Sequence, residues 1–123
     1  MRIQALTKLF SEITGVKIYN LQFPEDTIGE AIKVEATSGM IESGGIKDFN
    51  VQFMTKALHP SIAEQLAIGL VEDLHRVTNR IFNDGKTQLV LCHCQTPTPN
   101  FVGELVNGEY IYSVDFRVLT SEL

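Results

Sequence analysis

PSIAEQLAIGLVEDLHRVTNRIFN, running from Pro60 to Asn83, is the stretch from which the fold is read. The sequence predicts one helix across it. Pro60 suits a first helical turn, where its missing N–H costs little. Ser61 with Glu64 three residues on also fits a capping box, so the start lies at either residue. Asp84-Gly85 provides a stop, because glycine accepts the left-handed conformation of a C-cap. At 3.6 residues per turn, Ile62, Ala63, Leu66, Ala67, Leu70, Leu74, Val77 and Ile81 share one broad face. An apolar arc that wide needs a sheet beneath it. The opposite flank carries Glu64, Ile68, Glu72 and His75, with Phe82 turned toward it.

Upstream of this helix, Asp48 to Ala57 (DFNVQFMTKA) alternates as a strand. Phe49, Val51 and Phe53 point one way, and Asn50, Gln52 and Lys56 the other. Ser38 to Asp48 surrounds the apolar pair Met40-Ile41 with glycine and serine, and reads as a long mobile connection. Ala31 to Thr37 and Val16 to Asn20 are two earlier strands. Ile3, Leu6, Leu9, Phe10 and Ile13 recur at helical spacing, giving a first helix from Ile3 to Thr14 that Gly15 ends. Its shortness makes it dependent on docking.

Downstream, Thr87 to Cys94 (TQLVLCHC) is nearly all apolar and reads as a central strand. Gln95 to Asn100 (QTPTPN) is a stiff connection, since proline removes ladder donors. Phe101 to Val106 fits no single pattern. Asn107-Gly108 signals a turn. Glu109 to Thr120 is the last strand, with Tyr110, Tyr112, Val114, Phe116 and Val118 on one face. The tail Ser121-Glu122-Leu123 is expected to fray. The order helix, strand, strand, strand, helix, strand, strand predicts an α+β two-layer sandwich. About five mainly antiparallel strands would carry both helices on one face, in a single domain over residues 1–123.

The 123 residues suffice for one core. A hydrophobic share of 44% with 20% charged residues is that of a folded chain. The formal net charge of −5 argues against a phosphate-gripping surface. No apolar run approaches the roughly 20 residues of a membrane span. The N-terminal segment has no continuous signal-peptide core, so synthesis in the cytosol is expected.

Cys92-His93-Cys94 is the one cluster with chemical potential. On a strand the cysteines face one way and the histidine the other, so a single metal would struggle to meet all three. A structural zinc site also needs a second ligand pair at patterned spacing, and only His59 and His75 remain. Two small core cysteines are the simpler reading, and a small metal-binding or enzymatic module the competing one. Gly39, Gly44 and Gly45 lack the context of a phosphate loop. No catalytic residue, cofactor or metal ligand is expected. Ile68 and Phe82 beside Glu64, Glu72 and His75, together with Met40 and Ile41, form the candidate partner surface.

The ending PTPNFVGELVNGEYIYSVDFRVLT carries a resemblance. Its Pro99, Phe101-Val102-Gly103-Glu104, Gly108, Tyr110, Tyr112 and Phe116 are similar to the C-terminal segment of tailed-phage minor capsid and tail-terminator (tail-completion) proteins. The Gly-Val-Lys-Ile-Tyr strand, the DFNVQFMTKA strand and the long helix agree in order. Asn107-Gly108-Glu109 stands where the family usually has Gly-Arg. The resemblance implies a structural protein of a siphophage or prophage virion, made in the host cytoplasm. It would form a homo-oligomeric, commonly hexameric, ring on the tail tube, stop tube polymerisation, and meet a head-completion or connector protein. DNA would pass through the lumen without specific binding. A head–tail connector or head-closure subunit is the alternative within the same particle.

Overall fold

A computed structural model of the chain describes residues 2–24, 28–37 and 41–123, with 41–43 as backbone only. The elements run α1 (Ile3–Thr14), β1 (Ile18–Asn20), β2 (Ala31–Ala36), β3 (Ile41–Ser43), β4 (Ile46–Ala57), α2 (Pro60–Leu74), β5 (Val77–Phe82), β6 (Thr87–Cys94), β7 (Asn100–Glu104) and β8 (Tyr110–Glu122). All strands join one sheet in the order β1-β2-β4-β8-β6-β5, with β3 added to β4 and β7 to β8. The two-layer α+β plan therefore holds, with eight strands among the described residues where about five were expected, four before α2 and four after it rather than three and two.

The long antiparallel pair β4 and β8 forms the sheet's spine, from Ile46 opposite Ser121 to Ala57 opposite Tyr110. Alternation aims Phe49, Val51 and Phe53 of β4 and Val114, Phe116 and Val118 of β8 at the helices, and all six are buried. Phe53 sits between Phe10 of α1 and Phe116, edge-on to both at 5.3 and 5.4 Å. Two residues on, the Thr55 hydroxyl donates to the Ala63 carbonyl of α2 at 2.7 Å. Both helices thus lie on the same face. α1 ends as its sequence predicts: Gly15 takes φ 73° and its N–H bonds the Ser11 carbonyl.

The main departure is in α2. It begins at Pro60, not Ser61, with the His59 ring accepting the Ser61 N–H, and it stops at Leu74, nine residues before Asn83. Arg76 turns the chain at φ 69°, and Val77–Phe82 becomes β5, paired antiparallel to β6. Asn83, Asp84 and Gly85 all have positive φ and close the β5–β6 hairpin rather than capping a helix. Val77, Thr78 and Ile81 are β-branched, which favours a strand once a partner such as β6 is available. Gly85 stands at φ 78°, so Gly85→Val is expected to destabilise the fold by about 1–2 kcal/mol. Gly69, inside α2 with nothing within 4 Å of an added Cβ, should respond oppositely. Gly69→Ala is expected to stabilise by about 0.5–1 kcal/mol. Urea unfolding of both variants measures the two signs.

Two smaller corrections concern segments expected to be irregular, both of which are paired. Much of the supposed mobile connection from Ser38 to Asp48 is the β3–β4 hairpin, Ile41 opposite Asp48, turned at Gly44-Gly45; Ser38 to Met40 lie outside the described residues. Among the described residues β1 runs parallel to β2 and the other pairs are antiparallel, in keeping with the mainly antiparallel sheet expected. The tail does not fray: Glu122 N–H bonds the Gly45 carbonyl and Leu123 N–H the Lys86 carbonyl.

Candidate functional site

The anticipated partner surface is divided by the fold. Glu64, Ile68 and Glu72 do form an exposed stripe along α2. Phe82 does not belong to it: with α2 ended, Phe82 enters the core from β5 and is 8% exposed. His75 is not solvent-facing helix either. It caps α2 half-buried, its Nδ1 accepts the Cys94 N–H at 3.0 Å, and its ring lies edge-on to His93 at 4.7 Å. Burial, then the His93 and Arg76 charges, lower its pKa below the usual imidazole value, matching a ring that must stay unprotonated to accept that bond. Ile41 belongs to the β3–β4 hairpin, a separate element, and Met40 lies outside the described residues.

Cys92 and Cys94 alternate with His93 as a strand requires. Cys92 is buried and Cys94 half-buried, while His93 is exposed. Burial and then the neighbouring Cys94 push the Cys92 thiol up to about 12. Burial, opposed by the bond to the Thr96 carbonyl, also raises Cys94. Thiolates, the form that attacks or binds metal, are therefore disfavoured at neutral pH. Among the described residues no group of three His, Cys, Asp or Glu side chains is placed to hold a metal ion.

A different surface stands out, at the end of the sheet where β4 runs into α2. The β7–β8 hairpin projects there, and Phe101, Val102, Leu105 and Val106 are all exposed, Val106 completely. Leu58 and Ile28 add exposed apolar side chains nearby: Leu58 follows Ala57, which pairs with Tyr110, and Ile28 precedes Gly29, which bonds Glu109. Clustered apolar exposure of this kind marks a contact surface.

Buried polar chemistry holds that end in shape. Glu109, at the base of the hairpin, is 1% exposed and pairs with Lys56 Nζ at 2.7 Å. Its carboxylate also accepts the Gly29 N–H at 3.0 Å and a bond from the Asn107 amide. Burial alone would raise the Glu109 pKa, but the Lys56, Gly29 and Asn107 donors and the Lys56 charge outweigh it and hold it below its usual value. The Lys56 ammonium lies 5.2 Å from the Phe23 ring centre, and Lys33 stands over the same ring. One carboxylate thereby ties Gly29, β4 and the β7–β8 turn together. On the sheet's outer face Arg117 grips Asp48 through two bonds of 3.0 and 2.6 Å.

Sequence reading missed the hairpin as a site because Phe-Val-Gly-Glu-Leu-Val follows neither period cleanly. The signal was there: apolar residues on both parities beside an Asn-Gly turn leave a two-stranded ribbon apolar on both faces.

Fold and surface define a class: a small α+β domain that, among the described residues, exposes a cluster of apolar side chains at one end of its sheet. No helix among the described residues is long and apolar enough to cross a membrane. The chain matches no protein-family model and no curated protein. Its fold does have a counterpart. A chain in a solved structure described as the virion of a native gene transfer agent (GTA) particle superposes with a TM-score of 0.61, over 97% of this chain and 96% of that one, at 14% identity. At that identity the likeness establishes a shared fold over essentially the whole of both chains.

Proposed function

We propose that this chain is a structural subunit of a phage-like virion, and within it a tail terminator. Copies would close into a ring, of six in our reading, on the last ring of the tail tube, ending polymerisation and presenting a surface to a head-completion or connector protein. DNA would traverse the lumen without being gripped, which suits a net charge of −5. The role is non-enzymatic. The observation that carries this reading is the end-to-end fold likeness to a chain of a gene transfer agent virion. The C-terminal resemblance and the exposed apolar hairpin support it. The stripe Glu64, Ile68 and Glu72 is proposed as a secondary contact.

The same likeness serves a head–tail connector or head-closure subunit, because it names a particle and not a position in it. Mixing purified protein with phage tail-tube protein separates the two. A terminator is expected to cap tubes and fix their length, seen by negative-stain microscopy. Rings that ignore tubes and bind portal complexes would establish the connector role. Strict monomers with no affinity for either would remove both.

A further inference from the structure

Resting on the oligomeric reading above, we infer that the β7–β8 hairpin of one copy seats in the groove between α1 and β1 of the next. The hairpin is a built arm. Leu105 N–H bonds the Glu109 carbonyl at 2.7 Å, Gly108 N–H bonds the Leu105 carbonyl at 2.9 Å, and the buried Glu109–Lys56 pair fixes its base. An apolar ribbon already ordered in the free chain loses little entropy when it docks. Its tip presents Leu105 and Val106 with exposed Glu104 beside them.

The groove has the complementary character. It is a cleft of about 380 Å³ flanked by Lys8 and Lys17, a basic pair in an acidic chain. Gln4, Ile18 and Asn20 line it. Glu104 would meet the lysines as the apolar tip fills the cleft.

Hairpin and groove cannot meet within one chain. The groove flanks β1 at the sheet's edge, and β2 and β4 separate β1 from β8, which carries the hairpin. Contact therefore joins unlike surfaces of two copies, the head-to-tail arrangement that gives a ring when its rotation closes.

Disulfide trapping tests this directly, with sedimentation as the second readout. Chains carrying Val106→Cys and chains carrying Gln4→Cys are expected to form a disulfide dimer when mixed and oxidised, and neither alone. Val106→Asp, at a fully exposed position, should keep the native circular dichroism and weaken self-association at least about tenfold. Lys17→Glu and Glu104→Lys should each weaken it, and together restore it. Rings that survive Val106→Asp unchanged would overturn the hairpin contact while leaving the ring intact. So would trapping by Val106→Cys alone, or loss of tube binding only. Failure of the unsubstituted protein to self-associate, even on tubes, would instead overturn the ring reading, and this contact with it.

Discussion

Glu109→Ala is expected to lower the stability of the fold by about 3 kcal/mol, the lower end of the range for breaking a buried ion pair. The substitution removes the carboxylate 2.7 Å from a buried ammonium and the acceptor of the Gly29 N–H in one step. The damage should spread unevenly. Hydrogen exchange is expected to rise most at Gly29 and in the β7–β8 hairpin, the parts this carboxylate joins. Any contact made through Val106 should weaken with them. pH gives an independent check. The folded-state pKa of Glu109 lies below its usual 4.5. Its contribution is therefore fully present above pH 4.5, and is lost as pH falls from there through the folded value. Glu109→Gln should flatten the stability profile over that acid window and leave its shape near neutrality unchanged. Equal acid sensitivity in Glu109→Gln and unsubstituted protein would show that the carboxylate is not the titrating link.

Phe53→Ala is expected to cost more, about 3–5 kcal/mol. Phe53 is fully buried on β4 and meets Phe10 and Phe116 edge-on, so its ring joins α1 to the two spine strands. Truncation leaves a cavity that neither neighbour can fill without leaving its own packing. A domain typically holds only about 5–15 kcal/mol in total, so this single change should bring the chain close to unfolding. Thermal unfolding by circular dichroism measures it. Phe101→Ala is the informative contrast: its ring also stacks edge-on, against Tyr112 at 5.4 Å, yet it is 56% exposed. It should cost little stability in the isolated protein. A loss at Phe101 as large as that at Phe53 would mean the hairpin is core rather than surface.

These two phenylalanines also mark where sequence reading succeeds and stops. Phe53 lies in a strict alternation, and period alone put it on the buried face with Phe49 and Val51. α1 was legible from Ile3 to Gly15 for the same reason: its apolar spacing and its glycine stop are local. Phe101 lies in an apolar run whose two faces cannot be told apart locally, and its environment depends on Tyr112 across the β7–β8 turn.

The same limit explains the helix boundary. Val77 and Ile81 fit a helical face as well as they fit a strand, and Asp84-Gly85 serves equally as C-cap or hairpin turn. What separated the readings was β6, which pairs Val77 with Cys92 and Phe82 with Thr87. Once that ladder forms, α2 ends at Leu74, Phe82 enters the core, and His75 becomes a cap bonded to the Cys94 backbone. Three of the residues first grouped as one flank, Glu64, Ile68 and Glu72, stay together because they share an element whatever lies beyond it.

By itself, the sequence determined the layer plan, the inward faces of β4 and β8, and the first helix. Each rests on spacing within a dozen residues, where side-chain direction follows directly from backbone period. Only the tertiary structure decided the strand count, the parallel β1–β2 pair, the end of α2 and the exposed hairpin. Those depend on hydrogen-bond partners and burial supplied by segments far away in the chain, which no local period encodes.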